Sequence, residues 1–354
     1  MLFIDNRTVV VDIGSNVLKI IGLRRKNRLQ VEFWRAVDIF KTGKINRPDD
    51  LNPTLIVQIL REMLKPIRPA IRRVRIVLSS PGCMLRIIEL PVLAVSEIKA
   101  AIRLSLYGLM PFEPEKVEFN YTTLSINREQ KTQTLLVALV PTDEIGRQIE
   151  ILQRAGLEPE TVTTDQMAIY NCYHQLRSGT DNDSIAIVNI GSERTAICFY
   201  NPGNSPAFSA LPVGGNTITR SIEKHFHTSF INAESHKIGA QPPSDQDSDL
   251  TPPVFDWSSY LSRLADQIAG TIHATILNQQ IQNGDYRLSK ILLTGGSARL
   301  RQLDYLLAEQ LKVPVHIWNP FLESALNGLI EPEIMANWGE SAAPALGLAL
   351  EEAV

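Results

Sequence analysis

Short apolar runs broken by Gly, Ser, Asn and Pro recur along this sequence and predict alternating strands and helices. The clearest is Val9-Val10-Val11-Asp12-Ile13-Gly14-Ser15 followed by Val17-Leu18-Lys19-Ile20-Ile21, which reads as a buried strand, a tight turn and a second strand. The pattern returns at Ala186-Ile187-Val188-Asn189-Ile190-Gly191-Ser192 and Thr195-Ala196-Ile197-Cys198-Phe199, half of the 354 residues further on. Asp12 corresponds to Asn189, and Ile-Gly-Ser is repeated outright. Two similar lobes, each offering a Gly-Ser turn to a shared cleft, are the expectation. Backbone N–H groups exposed in such turns can cradle phosphate oxygens. Taken singly, either hairpin also reads as an ordinary element of an α/β protein.

Between and after the hairpins the pattern continues. A third strand is predicted at 30–39, and Asn52-Pro53 opens a helix to 64 that Pro66 and Pro69 stop. A buried strand follows at 74–78. The segment 82–156 changes character, with a strand at 84–90 and a helix from Ser96 through Ile98, Ile102, Leu106 and Leu109. Strands at 118–126 and 134–141 follow, then a helix to Ala155 that Gly156 ends. This α+β unit interrupts a first lobe made of 1–81 and 157–178, where a strand at 160–164 leads into a helix from Asp165. The second lobe is predicted at 179–341. Its elements are the repeated hairpin, a strand at 207–211, Gly214-Gly215 before a helix at 217–226, and a long helix at 256–281. A strand at 291–294, a helix at 299–311 and a strand at 313–317 complete it. The Pro- and Asp-rich stretch at 240–256 reads as a mobile surface loop. An Ala-rich helix within 342–354 is expected to return to the first lobe.

Composition narrows the classes. The length exceeds what one hydrophobic core usually spans, so two lobes are expected on this ground too. The chain is 44% hydrophobic and 21% charged with a net charge of -3. That is a globular composition without the basic excess of a nucleic-acid binder. No cleavable leader and no membrane-length apolar run is read from it. Cys83, Cys172 and Cys198 are scattered among apolar residues, as buried reduced thiols are. His225 and His227 lie two apart with nothing nearby to complete a zinc set, so no metal held by protein ligands alone is expected.

A third glycine site lies at Leu292-Leu293-Thr294-Gly295-Gly296-Ser297-Ala298. Two glycines let a flat ligand or another backbone approach closely, and a helix starting there would aim N–H groups at an anion. A plain strand-to-helix turn is the alternative. The order hairpin, hairpin, Gly-Gly turn resembles the actin-like ATPase superfamily, and more narrowly its FtsA-like PilM family of pilus assembly proteins. The narrower likeness rests on Glu89-Leu90-Pro91, Met110-Pro111-Phe112-Glu113, Val213-Gly214-Gly215-Asn216, Ala233-Glu234 with Lys237, and Asn319-Pro320-Phe321. It implies duplicated RNase H-like lobes with an inserted SHS2-type α+β subdomain at 82–156. It also implies ATP and Mg2+ in the cleft. Asp12 would orient metal-bound water, and Gly14, Ser15, Lys19, Asn189, Gly191 and Ser192 would hold phosphate. Gly214, Gly215, Glu234, Lys237, Gly295, Gly296 and Ser297 would surround the nucleoside. Asp165 falls on the cleft floor, as a catalytic carboxylate or as a helix cap. Lys19 also reads as a strand-edge lysine, and Glu234 with Lys237 as a solvated ion pair.

Many actin-like ATPases carry Asp at the second hairpin, where this chain has Asn189. An amide brings no charge to a metal-bound water, so ATP binding with slow or absent hydrolysis is expected. The resemblance implies a cytoplasmic adaptor, peripheral to the inner membrane through its partner. That partner would be a PilN-type inner-membrane protein, whose N-terminal tail would dock near Pro111 and Phe112, beside the inserted subdomain. A sugar-type kinase or a filament-forming relative of the same fold are the alternatives. The pattern leaves open whether a type IV pilus or a related type II secretion apparatus is served.

Overall fold

The first hairpin forms as its apolar runs dictate: β1 (Arg7–Ile13) and β2 (Val17–Arg25) pair antiparallel, and β3 (Leu29–Asp38) adds to β2. The computed structural model describes residues 7–25, 29–107, 113–177, 183–239, 256–283, 286–326 and 328–351. In α1 (Pro53–Leu64), Pro53 takes the first helical position and the Asn52 side chain accepts the Leu55 N–H at 3.0 Å. β4 (Arg73–Leu78) then runs parallel to β1.

The chain next leaves this sheet. β5 (Met84–Pro91), α2 (Val95–Leu106), β6 (Val117–Asn127), β7 (Thr132–Pro141) and α3 (Thr142–Ala155) follow in order. The three strands form their own antiparallel sheet in the order β5-β7-β6. Ile98, Ile102 and Leu106 of α2 share a core with the apolar face of that sheet, chiefly Leu135, Val137 and Leu139 of its central strand. Gly156 ends α3 at a φ of +89°, which favours glycine. β8 (Glu158–Thr164) returns to the first sheet beside β4, and α4 (Asp165–Leu176) follows.

The second half repeats the plan. β9 (Ile185–Ile190), β10 (Thr195–Tyr200) and β11 (Ala207–Leu211) are antiparallel neighbours. After α5 (Gly215–Phe226), α6 (Phe230–Gly239) and α7 (Trp257–Asn283), β12 (Lys290–Thr294) lies parallel to β9. α8 (Leu303–Leu311), β13 (Val315–Ile317), α9 (Pro332–Trp338) and α10 (Ala343–Leu350) complete the described fold. The two large sheets have orders β3-β2-β1-β4-β8 and β11-β10-β9-β12-β13. They are the same sequence of antiparallel and parallel neighbours, as a duplication requires. The Pro- and Asp-rich segment predicted to be a mobile loop lies outside the described residues except for Asp256.

Alternation along the strands assigns the faces. Val9 and Val11 pack outward against α1, while Val10 packs inward with α4 and α10. Ala186, Val188 and Ile190 face the outer helices of the second lobe, while Ile185 and Ile187 face inward. One apolar core containing α4 and α10 therefore joins both sheets, and their hairpins meet at one end of it. Cys83, Cys172 and Cys198 are buried free thiols. Burial raises Cys83 to about 11 and the other two well above the ordinary thiol value. No helix among the described residues is long and apolar enough to cross a membrane.

Candidate functional site

The two Gly-Ser turns are built alike. The Gly14 N–H donates to the Val17 carbonyl at 3.1 Å, and the Gly191 N–H donates to the Arg194 carbonyl at 2.9 Å. A Cβ at Gly14 would stand 2.8 Å from Val17 O, and one at Gly191 would stand 3.0 Å from Arg194 O. The first turn is thus too tight for a side chain at Gly14, and the second leaves Gly191 little room for one. The turns face each other across a cavity of about 110 Å³. Asp12, Gly14, Ser15, Lys19, Asp165, Asn189, Gly191, Ser192, Gly295 and Gly296 all line it, drawn together from both lobes.

Two buried ion pairs occupy its walls. Asp12 and Lys19 are directly opposed in the β1–β2 ladder, and Lys19 Nζ lies 2.9 Å from Asp12 Oδ2. Lys19 is no strand-edge lysine, since β2 lies between β1 and β3 and the residue is buried. Asp165 on the floor is paired with Arg194, whose Nε lies 3.5 Å from Asp165 Oδ2. Burial raises the Asp165 carboxyl above the usual range, and the Arg194 guanidinium opposes that rise. The helix cap is Thr164, whose hydroxyl accepts the Met167 N–H at 3.3 Å; Asp165 is instead the first helical residue and accepts the Gln166 N–H at 2.8 Å. The remaining predicted residues form an adjoining corner. The Gly215 and Asn216 N–H groups of α5 donate to the Gly191 and Ser192 carbonyls at 2.9 and 2.7 Å. A Cβ at Gly214 would strike Ser192 O at 2.5 Å, so this glycine lets the helix dock on the turn. Lys237 Nζ lies 2.8 Å from Glu234 Oε2 and 3.3 Å from the Gly215 carbonyl, while a Cβ at Gly215 would meet Ser297 Oγ. Lys237 is buried, so this pair is not the solvated one its spacing alone suggests.

The Gly295-Gly296 turn differs from expectation. Composition predicts a helix start at Arg299, but α8 begins at Leu303. Two N–H groups at the turn already have partners elsewhere in the fold: Gly295 donates to Glu340 O at 2.6 Å and Ser297 to Ile190 O at 3.1 Å. No helix dipole is aimed into the cleft from here. The turn instead packs on the second hairpin, with a φ of +95° at Gly295 and Asn189 Oδ1 2.7 Å from where a Cβ would lie.

A family model described as "Type IV pilus assembly protein PilM" matches residues 10–353. The chain belongs to the PilM family. Its fold matches the solved PilM-PilN type IV pilus biogenesis complex at a TM-score of 0.76, with 22% identity over 97% of each chain. It also matches the ethanolamine utilization protein EutJ from Carboxydothermus hydrogenoformans at 0.50, with 16% identity over 97% of this chain and 89% of that one. The cell division protein FtsA of Buchnera aphidicola is 26% identical over an alignment of 159 positions that covers 39% of this chain and 38% of FtsA. The two-lobed architecture is thus that of the actin-like ATPases, with the inserted subdomain of the PilM kind.

This PilM-family chain also has a second concavity, between the inserted sheet and the first lobe. This groove of about 420 Å³ is lined by Glu118, Phe119, Tyr121, Ala138, Thr161, Val162, Met167 and Glu351, among others. β6 and β8 are edge strands of their sheets, and both contribute to the walls. The predicted partner-binding residues Pro111 and Phe112 lie outside the described residues. Sequence reasoning also missed Arg194, which donates from Nη1 to the Ser80 and Cys83 carbonyls across the cleft. Its one local signal is a charged residue set between a Gly-Ser turn and a largely apolar strand. The lobes are bridged further by Asn16 and Asn216, whose amides exchange hydrogen bonds of 2.8 and 3.0 Å. Arg47 and Glu223 add an ion pair at 2.6 Å.

Proposed function

We propose that this chain is an adaptor of type IV pilus assembly that binds ATP between its lobes and holds the cytoplasmic N-terminal tail of a PilN-type inner-membrane protein in the β6–β8 groove. The observation that carries the reading is that groove. It is walled by two edge strands, whose unpaired backbone groups suit an extended peptide, with apolar side chains between them to take alternate residues. A relative of this fold has been solved as a PilM-PilN complex, and the partner is proposed on that ground.

The residues lining the cleft suit a polyphosphate. Two glycine turns offer backbone N–H groups, Lys19 and Arg194 supply positive charge, and the Gly215–Ser297–Lys237 corner adjoins them. Mg2+ would be held through water by Asp12 and would neutralise phosphate charge. The fit for the metal is weaker, since no group of three or more His, Cys, Asp or Glu side chains suited to a metal occurs among the described residues. Among the described residues lining the cleft, Asp12 is paired with Lys19, Asp165 with Arg194 and Glu193 with Asn216 and Arg220, so each carboxylate is already committed, which favours binding without turnover over a kinase. Cavities that enclose whole ligands run to roughly 300–1,000 Å³. The lobes therefore part to admit a nucleotide, breaking the Asn16–Asn216 bridge. Nucleotide state would then bear on the inserted subdomain, whose chain leaves the first lobe beside the Arg194 contacts at Ser80 and Cys83.

Fluorescence anisotropy with a labelled tail peptide of the PilN-type partner tests this. Submillimolar binding is expected. Val162→Asp, which places a charge among the groove's apolar residues, is expected to weaken it about tenfold, equivalent to about 1.4 kcal/mol. Absence of binding at millimolar peptide, or indifference to Val162→Asp, would contradict it.

A further inference from the structure

Arg194 is 4% exposed, and its side chain turns back from the second hairpin into the cleft. Its guanidinium is only partly matched. Nη1 donates to the Ser80 and Cys83 carbonyls, where the chain passes from the first lobe into the inserted unit, and Nε faces Asp165 Oδ2 at 3.5 Å. Nη2 and Nε have no hydrogen-bond partner among the described residues. Buried polar groups nearly always find a partner, and a buried charge left short of one is costly. The incompletely matched guanidinium lines the same small cavity as Gly14, Ser15, Gly191 and Ser192. A planar fork with donors to spare beside two anion-cradling turns is suited to a phosphate oxygen.

The charges around the cavity point the same way. Asp12 is balanced by Lys19 and Asp165 by Arg194. Glu193 accepts from Asn216 at 2.7 Å and from Arg220 at 3.1 Å. Position 189 contributes no charge. A polyphosphate entering here meets no net negative wall that a divalent cation must first offset. An aspartate at 189 would tip that balance by one negative charge.

We propose that Arg194 is a phosphate ligand of the cleft, and that it carries charge neutralisation otherwise left to Mg2+, so that ATP binding in this chain persists without the metal. This rests on the cleft being a nucleotide site. The test is calorimetric titration of the full chain with ATP in Mg2+ and again in EDTA. For the native chain, EDTA is expected to weaken binding by less than about tenfold. Arg194→Ala is expected to lose at least about tenfold in EDTA and much less in Mg2+. Arg194→Lys, which keeps the charge but not the fork, should fall between. Asn189→Asp tests the charge balance with Arg194 intact, and should raise the EDTA sensitivity about tenfold even if Arg194→Ala fails to fold. A residue that only braces the lobes would lower the melting temperature while leaving the ratio of the two affinities unchanged. That result would overturn the proposal, as would native binding that vanishes in EDTA. Native protein that binds ATP in neither condition would overturn the nucleotide reading along with it.

Discussion

Gly347→Leu is expected to yield a chain that does not fold stably. Every residue of α10 is buried, and the helix crosses α4 between the two large sheets. A Cβ at Gly347 would stand 1.8 Å from the Ala168 carbonyl oxygen and 2.9 Å from Cys172 Cβ. The nearest obstacle is backbone, so no side-chain rotation relieves it. α4 and α10 are held from both faces by the sheets, and widening their crossing would loosen the core shared by the lobes. Overpacking usually costs about 1–3 kcal/mol for small additions, and a whole domain has only about 5–15 kcal/mol to lose. Gly347→Ala should therefore lower the unfolding free energy by at least about 1–3 kcal/mol in denaturant titrations, and Gly347→Leu should be recovered largely insoluble. A Gly347→Ala chain with native stability would refute the close crossing.

Lys19→Met is expected to have the next largest effect. It leaves the Asp12 carboxylate, only 2% exposed, without the ammonium 2.9 Å away. Removing one partner of a buried pair typically costs about 3–5 kcal/mol, because the remaining charge is left desolvated. The double variant Asp12→Asn/Lys19→Met removes that charge and should recover most of the loss. Denaturant curves for the native chain, both single variants and the double variant close a thermodynamic cycle. A large favourable coupling is expected. A Lys19→Met chain as stable as the native one would mean that the pair is solvated. The same variant is expected to lose ATP affinity, since it removes a cation from the cleft.

The parts of this fold written in local pattern are legible in the sequence. The hairpin repeat with its two Gly-Ser turns and the inserted strand–helix–strand–strand–helix unit follow from apolar periodicity and turn chemistry over a few residues. Asp12 and Lys19 belong to one hairpin, so their pairing follows from register. Arg194 does not announce itself in this way. Its partners Ser80 and Cys83 are 114 and 111 residues distant in sequence, and such contacts leave no period. The start of α8 is misplaced by composition for a related reason. Residues 297–301 look helical, but Ser297 is tied to the Ile190 carbonyl of the distant second hairpin, the chain runs on in turns such as Leu300 N–H to Ser297 O at 3.2 Å, and Gln302 adopts a φ of +62° before the helix begins. Glu234 and Lys237 have the spacing of a surface pair and are drawn inward only because α6 packs on α5, bringing Thr219 Oγ1 to Glu234 at 2.5 Å.

The most direct test of the central claim, a nucleotide cleft that binds without turnover, is calorimetric titration of the full chain with Mg·ATP, with ADP quantified in the recovered sample. Saturable binding with no ADP beyond that of an Asp12→Ala control is the predicted result. Steady turnover above that control would contradict the roles given to Asn189 and Asp165, and no heat at millimolar ATP would contradict the cleft itself.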